Sequence, residues 1–424
     1  MLDIRVIRER LADVAAGAAK KRIPVDLDRL VALDDRRREL IRAAEDGKAE
    51  QRRRSKALGG LGPEEREAEK AALGQLKNQI QAHDAELAEV LGEYDALMLT
   101  VPNLPAAEVP EGVDDRDNVE LRKVGEVPGF EFEPRDHLEL GKHLGILDIE
   151  RGVRLSGTRF YVLRGAGALL HRAVLQLALD HMVAKGFEPF EVPVLVRDPA
   201  MVGTAYFPGG EEQAYRLEKD QLNLVGTAEV PLTAFRGDEI LDPSELPLRM
   251  VAQSMCFRRE AGAAGKDTRG LYRIHQFSKV EQVVVLPPDD EASRAEHQAI
   301  LRNSEEVLEL LGLPYRVVNV CGGDLGQPQV QKFDIETWMP SRQGYGETHS
   351  ASRFHDFQAR RLGLRTRNDK GDTVFCHTLN NTVVASPRIL IPILELYQQA
   401  DGSVVVPSAL RRYMGGLEVI EPRG

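Results

Sequence analysis

Residues 248–286 read LRMVAQSMCFRREAGAAGKDTRGLYRIHQFSKVEQVVVL. Two strand-like runs, Leu248–Phe257 and Phe277–Leu286, flank a Gly-rich stretch, the pattern of two strands joined by a loop. Arginines crowd the junction: Arg258 and Arg259 before Glu260, then Arg269 and Arg273 before His275, Gln276 and Phe277. An arginine grips carboxylate or phosphate with a planar fork, and a phenylalanine face stacks on a base. Those groups suffice to hold ATP without a P-loop, although a surface arginine cluster on a hairpin accounts for the same residues. The stretch Gly262-Ala263-Ala264-Gly265-Lys266-Asp267 lacks the Gly-Lys-Ser/Thr ending of a P-loop.

Around this hairpin lie further strand-like runs at Phe187–Val196, Gln221–Val225 and Tyr315–Val320, and a helical stretch from Gly167 to Lys185 with an apolar side. Strands separated by long loops, without βαβ alternation, predict an antiparallel sheet with flanking helices. Upstream, Val101-Pro102-Asn103-Leu104-Pro105 opens a connector rich in Pro, Asp, Glu and Val. No internal repeat of 20–50 residues is present.

Residues 25–99 have a different texture, nearly free of aromatics. Leu73, Leu76, Ile80, His83, Leu87, Val90, Tyr94 and Leu97 recur in steps of three and four, a coiled-coil seam with one polar member. Leu30, Leu33, Leu40 and Ala44 form a looser counterpart, and Gly59-Gly60-Leu61-Gly62-Pro63 breaks the two limbs. The expectation is a long antiparallel helical hairpin. Between Arg36 and Lys56 nine basic residues face four acidic ones, while the second limb is acidic on balance. Pairing of one limb with the other explains that asymmetry. A basic strip along an RNA backbone, from Arg36, Arg37, Arg38, Arg52, Arg53, Arg54 and Lys56, explains it too.

Bulk properties bound the answer. With 424 residues, two or three domains are expected. A net charge of -11 argues against indiscriminate nucleic-acid binding, so any RNA contact must use a local patch. Three scattered cysteines, Cys256, Cys321 and Cys376, indicate neither disulfides nor a zinc site and fit a reducing cytosol. No apolar run is long enough for a membrane span, and the N-terminus lacks a signal-peptide plan.

Three other groups carry potential chemistry: Thr227-Ala228-Glu229, Lys279-Val280-Glu281 and Glu347-Thr348-His349-Ser350. Carboxylates near a nucleotide can hold Mg²⁺ or an amino group. Thr378-Leu379-Asn380-Asn381-Thr382 leads into Ser386-Pro387-Arg388, read as a strand entering a helix whose first turn carries an arginine.

Taken together, these segments resemble the three motifs of class II aminoacyl-tRNA synthetases, in the version found in seryl-tRNA synthetases. The first motif is matched by Gly186-Phe187, Phe190 and Pro193, the second by Phe257 through Phe277, and the third by the run ending in Arg388. Gly157-Thr158-Arg159-Phe160, Asp267-Thr268-Arg269-Gly270, His275-Gln276-Phe277, Asp356-Phe357-Gln358-Ala359-Arg360-Arg361 and His377-Thr378-Leu379-Asn380 extend the match over essentially the whole chain. Departures fall at Thr348, His349, Ala351 and Arg353, with His349 and Arg353 expected to alter the pocket wall, and at Asn381.

The resemblance implies an α+β fold: a class II antiparallel sheet with flanking helices, plus the N-terminal coiled-coil hairpin. It implies a tRNA-binding domain over 1–105, a connector over 106–165 and a catalytic domain over 166–424. It implies activation of L-serine with ATP and transfer to tRNA(Ser), leaving tRNA(Sec) open. Arg258, Glu260 and Arg388 are the implied catalytic residues. Thr227, Glu229, Arg258, Glu281 and Thr382 would bind serine. Arg258, Arg259, Glu260, Arg273, Phe277, Glu347, Thr348, His349, Ser350 and Arg388 would bind ATP, with Phe277 and Arg388 on opposite sides of adenine. Glu347 and Ser350 would hold Mg²⁺, and no zinc is implied. Pro193 would lie in a homodimer interface, in a cytoplasmic protein without a membrane partner. A seryl-adenylate-forming paralogue serving a carrier protein or antibiotic pathway, and a non-catalytic RNA-binding homologue, are the competing readings. The helical arm weighs against the first and the intact ATP-gripping residues against the second.

Overall fold

The computed structural model describes residues 1–262 and 269–422. Ala263, Ala264, Gly265, Lys266, Asp267 and Thr268, which carry part of the second motif, lie outside the described residues. The chain divides into two compact units, residues 1–19 with 23–102, and residues 20–22 with 103–424. The stretch 106–165, expected as a connector, falls inside the second unit and contributes a strand to its main sheet. Among the described residues no helix is long and apolar enough to cross a membrane.

The first unit contains the hairpin, α1 (Leu27–Ala57) and α2 (Pro63–Thr100). Asp26 caps α1 by accepting from the Arg29 N–H at 2.9 Å. Pro63 opens α2 at a position where its missing N–H costs nothing, and Glu65 folds back on the Gly62 N–H. Leu30, Leu33, Leu40, Ala44, Ile80 and Tyr94 of the predicted seam are buried, and no seam residue is exposed. Gly47 lets the limbs approach: a Cβ there would stand 2.8 Å from Ile80. Ion pairs cross between the limbs at Arg29–Glu93, Arg36–Glu86, Lys48–Asp84 and Arg54–Glu69.

The second unit is built on an eight-stranded sheet: β1 (Val119–Val124), β2 (Glu188–Phe190), β3 (Leu248–Phe257), β4 (Gln276–Leu286), β5 (Tyr315–Asn319), β6 (Gln331–Met339), β7 (Gly344–His355) and β8 (His377–Ser386). Their spatial order is β1-β5-β6-β7-β8-β4-β3-β2, and every pairing is antiparallel except that of β2 with β3. The run expected as one strand over Phe187–Val196 is divided. Pro189 confines β2 to the sheet edge, and Pro193 interrupts the chain before Leu195–Val196 joins a separate small sheet.

Two helices, α3 (Ala166–Ala184) and α4 (Asp290–Leu310), pack against this sheet. Val174, Leu177, Ile300 and Leu308 from the helices meet Val280, Val284, Leu379, Val383 and Ala351 from the strands in one core. Each of these valine, leucine and isoleucine side chains contributes roughly 1.5–3 kcal/mol on burial. Alternate residues of the same strands point the other way, where the site lies.

Candidate active site

On β4, Phe277, Lys279 and Glu281 share one face; on β8, Asn380 and Thr382 share it; on β7, Ser350 and Ser352 do. A strict two-residue period would turn Glu347 away from Ser350. A bulge at Thr348 corrects this. His349 stands opposite Ile335, Ser350 opposite Asp334, and Glu347 opposite Glu336, so Glu347 and Ser350 return to one face. A cleft opens over this face, bounded also by Tyr206, Arg258, Glu260, Tyr272 and Arg388.

One end of the cleft is acidic and enclosed. Glu281 lies 2.6 Å from Lys279 and accepts from the Thr382 hydroxyl at 3.2 Å. Glu229 accepts from the Gln358 amide at 2.8 Å and from the Tyr206 hydroxyl at 3.2 Å. Burial, followed by repulsion from Glu281, pushes the Glu229 carboxyl up to about 7, against the pull of Gln358 and Lys279. Thr227 does not border the cleft. Its hydroxyl accepts from the Glu229 N–H at 3.2 Å and so fixes the residue that does.

The other end is basic. Beyond β3 and β4 the ladder continues, with the Arg258 N–H donating to the His275 carbonyl at 3.0 Å. That places the Arg258 guanidinium over the Phe277 ring, 5.4 Å from its centre. Arg259, next along the extended chain, points to the opposite side, is exposed, and lies over Tyr215 outside the cleft. Glu260 and Arg273 bridge at 2.9 Å. Arg388 lies in the turn before the helix Leu390–Leu396, not in its first turn, and donates to the carbonyls of Tyr272 and Glu347, both at 3.0 Å. Its guanidinium covers the Tyr272 ring at 4.5 Å. Each of the two expected adenine clamps is thus matched to another partner: Phe277 to Arg258, and Arg388 to Tyr272.

Glu347 borders both the cleft and its extension past Arg273. Its side chain is about half exposed; desolvation by the cleft walls pushes its carboxyl up, but Arg388, Lys332, Arg258 and Arg273 outweigh that and hold it below the usual range. Thr348 and His349 also border the cleft, Thr348 sharing its hydroxyl with Thr337 at 2.7 Å and with His349 Nδ1 at 2.8 Å. Burial pushes the His349 imidazole down to about 3, so it is neutral. Arg353 does not form the pocket wall. It is fully buried on the opposite face, 2.6 Å from Asp290 of α4, because bulge and pleat together turn it towards the helices.

A model of the class II tRNA synthetase core domain (G, H, P, S and T) matches residues 214–397, and a model of the seryl-tRNA synthetase N-terminal domain matches residues 1–105. A curated serine–tRNA ligase of Deinococcus radiodurans is 46% identical over 420 residues, 99% of each chain. The chain belongs to the seryl-tRNA synthetase family. Across that family the likeness extends to solved structures. A seryl-tRNA synthetase of Pyrococcus horikoshii, complexed with ATP, superposes with a TM-score of 0.92 at 35% identity over the full length of both chains. A cytoplasmic serine–tRNA ligase of Naegleria fowleri, in complex with AMP, gives 0.87 at 31% identity, covering 100% of this chain and 99% of that one.

For this seryl-tRNA synthetase family member, the structure adds cleft residues that motif reading passed over: Tyr206, Tyr272 and Lys279, with Gln358 behind Glu229. Lys279 and Gln358 sit inside matched motifs, so a signal for them existed. Tyr206 had none. Pro193 is exposed, just past the edge strand β2.

On the arm of this family member, Arg36 bonds Glu86, while Arg37 and Arg38 both reach the buried Asp34, at 2.6 and 3.0 Å. Arg54 bonds Glu69 across the limbs, and Arg53 bonds Glu50 on its own helix. Among the described residues Arg42, Arg52 and Lys56 meet no carboxylate within 4 Å. Inter-limb pairing therefore explains part of the basic limb and leaves its tip-proximal cations over.

Proposed function

We propose that the cleft binds ATP and L-serine side by side, joins them as seryl-adenylate with release of pyrophosphate, and passes serine to the 3′ end of tRNA(Ser) with release of AMP. The observation that carries this reading is the division of one cleft into an enclosed carboxylate end and an arginine end. Glu229 and Glu281 suit an ammonium group, and the Thr382 and Tyr206 hydroxyls suit a small hydroxylated side chain. Arg258, at the arginine end, is near enough to act on the hydroxyl of Tyr206, the partner of Glu229. Its fork would take the serine carboxylate and the α-phosphate together, holding the reactants in line and offsetting charge as the phosphorus becomes five-coordinate. No general base is required, because a carboxylate is already a nucleophile near neutral pH.

Phe277 would offer its ring to adenine, with Arg388 on the opposite side and Glu260 beside it, and Arg273 would take the γ-phosphate. Among the described residues no cluster of three or more His, Cys, Asp or Glu could hold a metal. A metal would therefore depend on phosphate oxygens for its remaining ligands, which fits Mg²⁺. Glu347, kept ionised, and Ser350, brought to its side by the bulge, would hold Mg²⁺, which supplies neutralisation of the phosphate charge. The arm would contact tRNA through Arg52, Arg53 and Lys56, with Arg36, Arg37, Arg38 and Arg54 serving mainly the hairpin itself. We place the enzyme in the cytoplasm as a homodimer joined near Pro193. Exposed Leu169, Val183 and Leu195 in the second unit support an apolar interface.

The test is serine-dependent ATP–pyrophosphate exchange run beside charging of tRNA. Both activities, with alanine and threonine weak, are the expected result. Exchange without charging would instead favour a carrier-protein paralogue, and neither activity from folded protein would overturn the catalytic reading.

Glu229 gives a second expected result. The ionised carboxylate binds an ammonium; the protonated one does not. Serine affinity therefore strengthens as pH rises from about 6 to 8, and binding below about 7 expels a proton. The sign for stability is opposite. The folded form holds a proton that the unfolded chain releases, so this contribution is full below the ordinary glutamate range and fades as pH rises through about 7. Calorimetry in buffers of differing ionisation enthalpy reads the proton directly. Affinity flat across that window would refute the role of Glu229.

A further inference from the structure

Lys21 is the most enclosed lysine outside the cleft, 2% exposed. It belongs to the second compact unit. Burial pulls its pKa well below the usual lysine value, and its side-chain nitrogen lies within hydrogen-bond distance of three backbone carbonyls of one short loop: Gly326 at 3.2 Å, Gln327 at 2.9 Å and Gln329 at 2.5 Å. Among the described residues no carboxylate lies within 4 Å of it. Its charged form has three N–H donors, and each finds an acceptor here. Asn103 completes the set. Its side-chain amide donates to the Pro328 carbonyl at 3.0 Å, and its backbone N–H adds a bond to Gln327. All four carbonyls from Gly326 to Gln329 are engaged by these two residues.

That loop is a wall of the cleft, bordering it through Gly326, Pro328 and Gln329. The Gln329 amide donates to the Ser352 hydroxyl at 2.8 Å, and Ser352 stands opposite Asn380, two residues from Thr382. The Gln327 side chain accepts from Arg361 at 3.4 Å. Arg361 also holds the carbonyls of Val202 and Phe207, which bracket Tyr206, the partner of Glu229. Lys21 is thus the anchor of a network that ends on the carboxylate end of the cleft.

We propose that Lys21 is a positioning residue: its amino group fills a cage of carbonyls, stiffens the Gly326–Gln329 wall, and so sets how large an amino-acid side chain the carboxylate end accepts. This rests on the reading of that end as the serine site. Serine and threonine differ by one methyl group. Rejecting that methyl, a difference worth about 10- to 200-fold, requires a wall that does not yield. A loop with four unanchored carbonyls would relax outward.

The experiment compares wild type with Lys21→Ala in amino-acid-dependent pyrophosphate exchange, alongside thermal melting. Expected for the variant are a serine KM raised about tenfold, kcat within about threefold, and serine-over-threonine selectivity lowered about tenfold. Propylammonium, which replaces the missing atoms, should restore KM and selectivity; tetramethylammonium, which has no N–H, should not. A folded variant with wild-type KM and selectivity would overturn the proposal, as would a variant insensitive to propylammonium. Should Lys21→Ala fail to fold, Asn103→Ala carries the same readouts, and unchanged selectivity there overturns it equally. Wild-type enzyme lacking serine-dependent exchange would instead remove the serine reading on which the proposal stands.

Discussion

Replacing Arg258 with alanine is expected to cut serine-dependent pyrophosphate exchange by about 10²–10³-fold, the range found when one preorganised donor to a developing charge is removed. The loss should fall mainly on kcat, because the charge Arg258 opposes grows as the phosphorus changes geometry. Its position leaves little room for a substitute. The backbone is held by His275, the guanidinium lies over Phe277, and Glu260 on the same chain is already engaged by Arg273. Arg258→Lys keeps the charge but not the two-pronged fork, so an intermediate rate is expected. Stopped turnover with labelled pyrophosphate measures both variants. Near-wild-type exchange in Arg258→Ala would sink the assignment of this arginine and, with it, the division of the cleft.

The second large effect concerns the arm. Deleting residues 31–97 should leave adenylate formation within severalfold of wild type and abolish charging of tRNA. The logic is that the two units have separate cores, and every cleft residue belongs to the second. A gentler variant, Arg52→Ala with Arg53→Ala and Lys56→Ala, preserves the seam and removes only exposed cations. It should weaken tRNA binding by more than about tenfold near physiological salt and flatten the salt dependence, since each phosphate contact contributes to that slope. Charging that survives the deletion would end the RNA role of the hairpin. A full-strength effect from Arg37→Ala would be informative in another way, because Arg37 is tied to buried Asp34 and its loss disturbs the helix pair itself.

How far the sequence foretold this depends on whether a signal was local. The hairpin was legible because its seam repeats every three or four residues along the chain. Strands β3 and β4 were legible because apolar runs flank a glycine-rich loop. Strand β7 was not. Its residues GYGETHSASRFH are largely polar, and the bulge at Thr348 breaks the alternation that would betray a strand. The run over 187–196 was over-read because proline takes part in a strand only at an edge. Of the site, Arg258, Glu260, Glu281, Glu347 and Arg388 were legible from motif resemblance. Their partners were less so: Gln358 reaches Glu229 across 129 positions and Tyr206 across 23, distances at which no periodicity speaks. Arg353 was misplaced for a related reason. Its neighbours in sequence face the cleft, while the side chain itself faces Asp290.

The bulge at Thr348 has a counterpart at Val383 in the adjacent strand, where the register with β4 slips by one between Val280 and Glu281. Each inserts a single step that exchanges odd for even along the remainder of its strand. The chemistry of the cleft is therefore encoded partly as a count. Were the same residues, Thr348 included, paired in a regular ladder with no bulge, Glu347 would rotate to the helix-covered side, away from Ser350. Insertions and deletions, rather than substitutions, are the changes to which this face of the sheet has least tolerance.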